Sequence, residues 1–258
     1  MRRLVCNERR KVSAAEKRGV PSMVQEPVST ELYSRDAVYR QLRQQIIDFT
    51  LLPGEFLSEN TLAAQMHTSR TPVREAIARL ACEHCVEVFP QRGTQVSRIS
   101  MELVRQAVFF RVVLERDVLE QLCKPGLTDE QLEELEQSLS LQRAYYAAKK
   151  SDRLLEEDTR MHQLFYRYCG RERAWEAFAC INCDMLRIRY LQIMTYSYQA
   201  HMVSVRSWEN HLTEHRLILD ALRRRDYEAL RFTAQQHIVS IEQDGDHLRR
   251  IYPQYFGE

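Results

Sequence analysis

The apolar residues in the first third of the chain recur at helical intervals. From Asp36 to about Phe49 they fall three and four positions apart, which places them on one face of an α-helix. A Pro-Gly turn follows in LLPGE, and Ser58 then stands where it can cap a second helix, residues 58–66. Only residues 67–69 separate this helix from a third helical pattern. Two short helices joined by so tight a turn match the helix-turn-helix arrangement.

The third pattern, SRTPVREAIARL at residues 69–80, predicts a helix with two different faces. One face is an apolar stripe: Val73, Ala76, Ile77 and Leu80. The other presents two arginines, a hydroxyl and a small residue: Arg70, Thr71, Arg74 and Ala78. Ser69 is placed to cap the helix, and Pro72 lies in its first turn, where a missing N–H costs nothing. The polar face suits either a DNA groove or plain solvent, and the neighbouring elements must decide between them.

Residues 86–99 change from a helical to an extended pattern. Valines and Ile99 flank PQRG, residues 90–93, and predict a strand, a turn and a second strand. Two helices, a tight turn, a helix and a hairpin is the element order of a winged helix-turn-helix. Arg92 and Gly93 would lie at the tip of the wing, where a cation can approach phosphate and glycine allows close backbone contact.

Beyond Ser100 the pattern is helical throughout. Six stretches have helical periodicity: residues 101–123, 128–149, 151–168, 171–195, 204–224 and 226–250. They predict an all-α bundle of six or seven helices, so that the fold is mainly α. The expected organisation is a flexible tail, a winged domain, a helical domain and a C-terminal tail, at residues 1–30, 31–100, 101–250 and 251–258.

Composition narrows the class of protein. The chain has 258 residues, of which 44% are hydrophobic and 28% charged, as in ordinary globular proteins. No apolar run approaches 18 residues, and the basic N-terminus lacks the apolar segment of a secretory signal, so a cytoplasmic location is expected. The net charge is +1. Any DNA binding must therefore depend on a local basic patch.

Seven cysteines include two C-x-x-C pairs, Cys82 with Cys85 and Cys180 with Cys183. An odd number scattered over predicted helices favours free thiols over disulfides. A four-cysteine zinc site would have to unite pairs on different domains, and buried or half-buried thiols are the favoured interpretation.

One carboxylate and three histidines of the helical domain form a candidate metal site. Asp158 and His162 are four residues apart, hence on one helix face, while His215 and His237 lie beside apolar runs of the last two helices. Together they suit a divalent metal, although a lone helical histidine is more often an ordinary core or surface residue.

Two sets of motifs resemble the GntR family of bacterial transcription regulators. The winged region resembles it through VYRQLRQQI (38–46), LLPGEFLSENTLAAQ (51–65), SRTPVREAIARL (69–80) and VFPQRGTQVSRIS (88–100). The helical region resembles the FCD effector domain of the FadR branch through RVVLE (111–115), DTRMH (158–162), EHRLILDAL (214–222) and QQHI (235–238). Six helices would place it in the VanR-like subgroup. His67 and His84-Cys85 depart from the family, which has glycine in the turn and Gly-Leu before the wing.

The resemblance implies roles for particular residues. The DNA-contacting positions match Ser69, Arg70, Thr71, Pro72, Arg74, Arg92 and Gly93. The metal ligands match Asp158, His162, His215 and His237, with Zn²⁺, Ni²⁺ or Mn²⁺ all acceptable. His211, four residues before His215, could compete as a ligand but ranks lower because it does not match the family position. For a carboxylate effector, Arg111 is the main candidate, with Glu115 orienting a ligand histidine and Arg187 and Arg189 as weaker candidates.

These features predict a homodimeric transcriptional regulator, a repressor by default. It would bind a double-stranded operator and answer to a small carboxylate or sugar acid, without contact with a membrane. It is not expected to be an enzyme, since no general base or nucleophile stands beside the site. The alternatives are a metal-dependent hydrolytic enzyme and a DNA-binding protein whose second domain is only a dimerisation scaffold.

Overall fold

The computed structural model describes residues 35–196 and 207–257, all within one compact unit, Tyr33–Glu258. The predicted tail at residues 1–30 lies outside the described residues. So does the start of the helix predicted from residue 204. Among the helices that are described, none is both long and apolar enough to span a bilayer.

The first part is a winged helix-turn-helix, as predicted. Its helices are α1 (Arg35–Ile47), α2 (Glu59–Gln65) and α3 (Arg70–Cys82), and its strands are β1 (Phe56–Leu57), β2 (Val86–Phe89) and β3 (Gly93–Val96). The strands form an antiparallel sheet in the order β1-β3-β2. The short strand β1 was missed, because two residues carry no detectable alternation.

The structure confirms the predicted apolar stripe and one of the two predicted helix caps in this region. The predicted apolar stripe of α3 is buried: Val73, Ala76, Ile77 and Leu80. Ser58 caps α2 by accepting a hydrogen bond from the Thr61 amide at 3.3 Å. Ser69 stands at the N-cap of α3, but its side chain makes no capping hydrogen bond, so that part of the prediction was wrong. Its hydroxyl remains exposed at the start of the helix.

The two histidines that replace the family's usual residues are both in the left-handed region. His67 has φ +49° in the turn between α2 and α3, and His84 has φ +58° between α3 and β2. Histidine adopts this conformation more readily than bulkier or branched residues do. The turns therefore keep their geometry without glycine.

The second part contains seven helices among the described residues. They are α4 (Met101–Cys123), α5 (Asp129–Ala147), α6 (Ser151–Tyr168), α7 (Glu172–Ala179), α8 (Cys183–Tyr196), α9 (Trp208–Arg224) and α10 (Tyr227–Ile251). The prediction of a single helix over residues 171–195 was wrong. The Ala179 carbonyl, which would bond to the residue 183 amide in a continuous helix, instead accepts a hydrogen bond from Arg43 at 2.9 Å.

Arg43, on α1, links the winged part of the structure to the helical part through hydrogen bonds. Its guanidinium donates to the Asn182 amide oxygen at 2.7 Å and to Glu83, at the end of α3, at 2.9 Å. The Tyr39 hydroxyl also donates to Glu83. Glu83 is buried, so its charge is neutralised within this network. The same contacts hold the C-terminal end of α3 against the corner between α7 and α8.

Two residues of α8, Asp184 and Arg187, bind the segment that follows β3. Arg187 donates to the Ser97 carbonyl at 2.6 Å and pairs with Asp184. Asp184 in turn accepts from the Ser100 amide at 2.8 Å. Beside these contacts, Ile99 pairs with Phe256, so the C-terminal residues also pack at this junction.

The cysteines behave as free thiols in the described residues. Cys85 and Cys183 are buried at the junction, whereas Cys82 and Cys180 are exposed. Over residues 35–196 and 207–257, no cysteines come together as a group of metal ligands. The two C-x-x-C pairs therefore do not form the alternative zinc site there.

We expect Arg43→Met to reduce the free energy of unfolding by about 2 kcal/mol, because it leaves the buried Glu83 short of a charged partner. Arg35→Met, on the same helix, should change it by less than about 0.5 kcal/mol, because Arg35 is 75% exposed and Arg43 only 16%. Urea denaturation of both variants measures the difference. Equal losses would contradict a special role for Arg43.

Candidate functional site

The exposed face of α3 carries the predicted DNA-contacting arginines. Arg70 and Arg74 lie on the surface, and both pair with Glu59, at 3.0 and 2.7 Å. Hydrogen bonds from Arg74 and then Arg70 lower the pKa of Glu59. Glu59 opens α2 and is 11 and 15 residues from its partners. Helical periodicity gave no sign of this pairing, so sequence reasoning missed it.

The hairpin places Arg92 and Gly93 at the wing turn. Both are exposed, and Gly93 has φ +105° with no neighbouring heavy atom within 4 Å of the position a Cβ would occupy. A side chain would meet no steric obstacle, but the backbone conformation favours glycine. Gly93 is thus required by the turn geometry. Together with α3, the wing provides two separate basic contact points.

The structure brings all four predicted metal ligands together inside the bundle. Asp158 and His162 project from α6, His215 from α9 and His237 from α10, and all four are buried. Their potential ligand atoms lie within 4.8 Å of one another. His215 Nε2 is 3.2 Å from His237 Nε2 and 3.6 Å from Asp158 Oδ1.

Each of the three histidines is held by a hydrogen bond at Nδ1. The acceptors are Glu115 for His162 at 3.1 Å, Gln142 for His215 at 2.9 Å and Glu214 for His237 at 2.9 Å. An oxygen that accepts at Nδ1 places the proton there and leaves Nε2 as a lone pair in the neutral ring.

The Nε2 atoms of this cluster are short of partners. His162 Nε2 is buried without a hydrogen-bond partner, and the Nε2 atoms of His215 and His237 face each other. Converging lone pairs on buried nitrogens repel unless a cation lies between them. Three imidazoles and one carboxylate are also an ordinary donor set for a divalent transition metal. The residues present therefore fit a bound metal ion.

Burial keeps His215 and His237 neutral. It lowers the pKa of His215 to about 3, and it lowers the pKa of His237 well below its usual range, with the neighbouring histidines adding to the effect. Burial alone would raise the pKa of Asp158, but its charged neighbours, the Arg189 guanidinium foremost, outweigh burial and hold that pKa at about 2. The cluster thus presents the Asp158 carboxylate and the uncharged imidazoles of His215 and His237, which are the forms that bind metals.

Two arginines line the cluster: Arg111, the main candidate from the sequence, and Arg189, one of the two weaker candidates. Arg111 pairs with Glu115 at 2.7 Å, and its Nη2 is buried without a hydrogen-bond partner. Arg189 donates to Asp158 at 2.9 Å and stacks over Trp208 at 4.2 Å. Arg187, the other weaker candidate, forms its hydrogen bonds with Ser97 and Asp184 at the junction. The structure therefore places Arg187 away from these ligands.

The lower-ranked histidine, His211, belongs to a neighbouring group. Among the described residues, the group of possible metal ligands that contains His211 consists of His211, Glu214 and His237, without Asp158. Its ring nitrogens lie 2.9 and 3.1 Å from Arg189 Nη1. His237 is common to both groups, with Nε2 directed at one and Nδ1 at the other.

A winged DNA-binding unit joined to a helical domain with a buried ligand cluster defines a class of bacterial regulators. Residues 34–96 match the family of bacterial regulatory proteins called gntR, and residues 106–240 match the FCD domain. The chain belongs to the GntR family and has an FCD domain. It is a DNA-binding transcriptional regulator and not an enzyme.

Individual relatives agree with this assignment. The HTH-type transcriptional repressor RspR of Escherichia coli (strain K12) is 32% identical over 86% of this chain and 92% of its own length. The gluconate operon transcriptional repressor of Bacillus licheniformis is 24% identical over 78% of this chain and 81% of its own. The solved structure of E. coli McbR/YncC has the same fold, with a TM-score of 0.67 and 22% identity over 86% of this chain and 98% of that one.

The neutral, buried state of His215 predicts that metal-free protein loses stability as the pH falls. The unfolded chain binds protons near pH 6.5, whereas folded His215 does so only near pH 3. Between these values His215 alone should cost up to about 1.4 kcal/mol per pH unit. Urea denaturation at pH 7, 6 and 5 with a chelator measures the slope.

His215→Asn should make this slope shallower. His67→Asn, at an exposed left-handed position that asparagine tolerates, should retain it. A wild-type stability that does not change from pH 7 to pH 5 would contradict the assignment of buried neutral histidines.

Proposed function

We propose that this regulator is a homodimeric repressor controlled by a small organic acid through a divalent metal held in the FCD domain. The observation that carries the proposal is the convergence of Asp158 and three histidine Nε2 atoms in the bundle. A cytoplasmic location follows, since the operator DNA is there. Repression is supported by the names of the relatives RspR and the gluconate operon repressor.

The DNA-binding role rests on the exposed start of α3 and on the wing. Ser69, Arg70, Thr71, Pro72 and Arg74 lie at the N-terminal end of the recognition helix, and Arg92 and Gly93 at the wing turn. Arginine can reach guanine O6 and N7 together or clamp a phosphate, which suits both places. To do so, Arg70 and Arg74 must exchange Glu59 for DNA. Two copies of the chain would read the two halves of a near-palindromic operator.

We expect Arg74→Ala to weaken specific DNA binding by on the order of 1–3 kcal/mol. The probe is a duplex that the wild-type protein selects from a random library, measured by fluorescence anisotropy. Arg224→Ala, at an exposed arginine that ends α9, is the control and should bind like wild type. Unchanged affinity in Arg74→Ala would remove this residue from the DNA-reading surface.

Asp158, His162, His215 and His237 would hold the metal. A divalent ion bound there would supply an electrophilic centre with coordination positions open to a carboxylate, and Zn²⁺, Ni²⁺ and Mn²⁺ all suit the donor set. Arg111 Nη2, buried beside the cluster, is placed to pair with the effector's charge. Arg189 replaces Arg187 as the second arginine of this proposal. The effector would bind one dimer geometry more tightly and so change the spacing of the DNA-binding domains.

Removal of one ligand should abolish metal retention. We expect gently purified wild-type protein to contain one metal ion per chain by elemental analysis, and His215→Ala to contain much less. A thermal-shift screen of sugar acids and short carboxylates, run with and without EDTA, should show stabilisation only when metal is present. His67→Asn is the histidine control, because asparagine tolerates the left-handed backbone at this exposed position.

Three outcomes separate this proposal from its rivals. Absence of metal, together with an unchanged ligand response in His215→Ala, would favour a purely structural dimerisation domain. Stabilisation that survives EDTA would show that the effector binds without the metal. Turnover of a screened acid would contradict the regulator's assignment as a protein without enzymatic activity.

Exposed apolar residues on α4 support dimerisation. Phe109 and Phe110 are 65% and 49% exposed, their rings contact edge to face, and Val113 is also exposed. Apolar surface of this kind is stabilised when a second protein surface covers it. We assign it to a second copy of the chain, because an operator with two half-sites requires two winged domains. Sedimentation equilibrium should give the mass of two chains.

A further inference from the structure

We propose that Glu214 is a positioning residue that fixes the tautomer of His237 and so aims its Nε2 at the metal site. This inference rests on the proposed metal-binding function and deepens it. A second group of residues, His211, Glu214 and His237, is also close enough to ligate a metal ion. In our proposal this group binds no metal, and Glu214 accepts a hydrogen bond from His237 instead.

The His237 ring lies between two different environments. Its Nδ1 is 2.9 Å from a Glu214 carboxylate oxygen, and its Nε2 is 3.2 Å from His215 Nε2. A neutral imidazole has one proton to place. A carboxylate accepts only, so the proton belongs on Nδ1 and the lone pair on Nε2. With the tautomer reversed, Nδ1 would oppose the carboxylate with a lone pair and Nε2 could not bind a metal.

Helix α9 supplies both the ligand and the support. His215 and Glu214 are adjacent residues, about 100° apart around the helix axis, so one side chain faces the centre of the cluster while the other reaches around to His237. The same Glu214 oxygen lies 3.5 Å from His211 Nδ1. Glu214 is therefore placed against two imidazole rings of the bundle interior. The other two metal-site histidines have acceptors of their own, Glu115 and Gln142.

The hydrogen-bond donors around His211 argue against a second metal ion. Arg189 Nη1 is within 3.1 Å of both ring nitrogens of His211, and the Gln192 amide nitrogen is 3.0 Å from Nε2. A neutral imidazole has one lone pair, and because N–H donors lie against both nitrogens here, that lone pair is already engaged and is not offered to a metal ion. A metal there would also have to displace the proton from His237 Nδ1, leaving that ring to bridge two cations as an imidazolate. The geometry points to a proton, and not a metal, between His237 and Glu214.

Two substitutions at Glu214 separate positioning from packing. Glu214→Gln keeps an oxygen that can accept from His237, whereas Glu214→Leu removes it at similar size. Glu209→Leu makes the same chemical change at an exposed position in the first turn of the same helix. Each full-length variant is stripped of metal and titrated with Zn²⁺ against a chromophoric chelator. Loss of a partner of this kind weakens metal affinity about 10- to 100-fold.

We expect one Zn²⁺ per chain in every variant, with affinity 10- to 100-fold weaker in Glu214→Leu. Glu214→Gln and Glu209→Leu should stay close to wild type. A structural role alone would not be rescued selectively by an acceptor oxygen. In the metal-free proteins, NMR of ¹⁵N-labelled histidine should show His237 protonated at Nδ1 in wild type and Glu214→Gln, with that preference lost in Glu214→Leu.

Wild-type affinity in Glu214→Leu would overturn the proposal. So would two Zn²⁺ per wild-type chain falling to one in Glu214→Leu, because Glu214 would then be a ligand. If no variant bound Zn²⁺, the proposed metal function would fail, and the tautomer would still decide this inference. An unchanged His237 tautomer in Glu214→Leu overturns it, and a changed one upholds the role of Glu214 in orienting the ring.

Discussion

Charges buried inside the helical domain must be neutralised by partners within that domain. Asp158, Glu115 and Arg189 are almost fully enclosed, and an unpaired charge in such surroundings would cost several kcal/mol. Each is paired, Asp158 with Arg189 and Glu115 with Arg111 and His162. These pairs join α4, α6 and α8 at fixed distances. The pairs therefore hold α4 and α8 against the helix that carries Asp158 and His162.

The same constraint operates at the junction with the winged domain, but with different partners. Glu83 is enclosed by Tyr39 and Arg43, and Arg43 also bonds to Asn182. Helix α8 takes part in both networks, since Arg187 contacts Ser97 while Arg189 contacts Asp158. By contrast, Arg70 and Arg74 are exposed and pair with Glu59. Exposed pairs of this kind contribute little and exchange readily, as the proposed DNA-reading surface requires.

The features that could be predicted from the sequence are those whose signal lies within a short stretch of the chain. The stripe of α3 and the valines of the hairpin are patterns within about ten residues, and they gave the winged fold. Asp158 and His162 share a helix face by spacing alone. The break between α7 and α8 was missed because it depends on Arg43, more than 130 residues away. No local pattern records such a contact.

For a similar reason, Arg187 was predicted to lie at the ligand cluster, where the structure places Arg189 instead. Residues two apart on a helix point about 200° away from each other, so only one of the two can face the ligand cluster. An amphipathic helix would have shown which one. From Cys183 to Thr195, however, every side chain except Met194 is buried, and the helix has no solvent face from which to judge direction. The orientation of α8 is decided by tertiary contacts.

The contact between Arg189 and Asp158 means that the ligand cluster already contains a positive charge of its own. To bind Asp158, a divalent ion would have to displace the Arg189 guanidinium from that carboxylate. Metal binding would therefore exchange one cation for another at Asp158. The displaced charge stays in the bundle, because Arg189 is enclosed. An anionic effector that bound after the metal could then pair with the displaced Arg189 guanidinium beside the site. That counter-ion is on α8, the helix whose first turns fasten the winged domain.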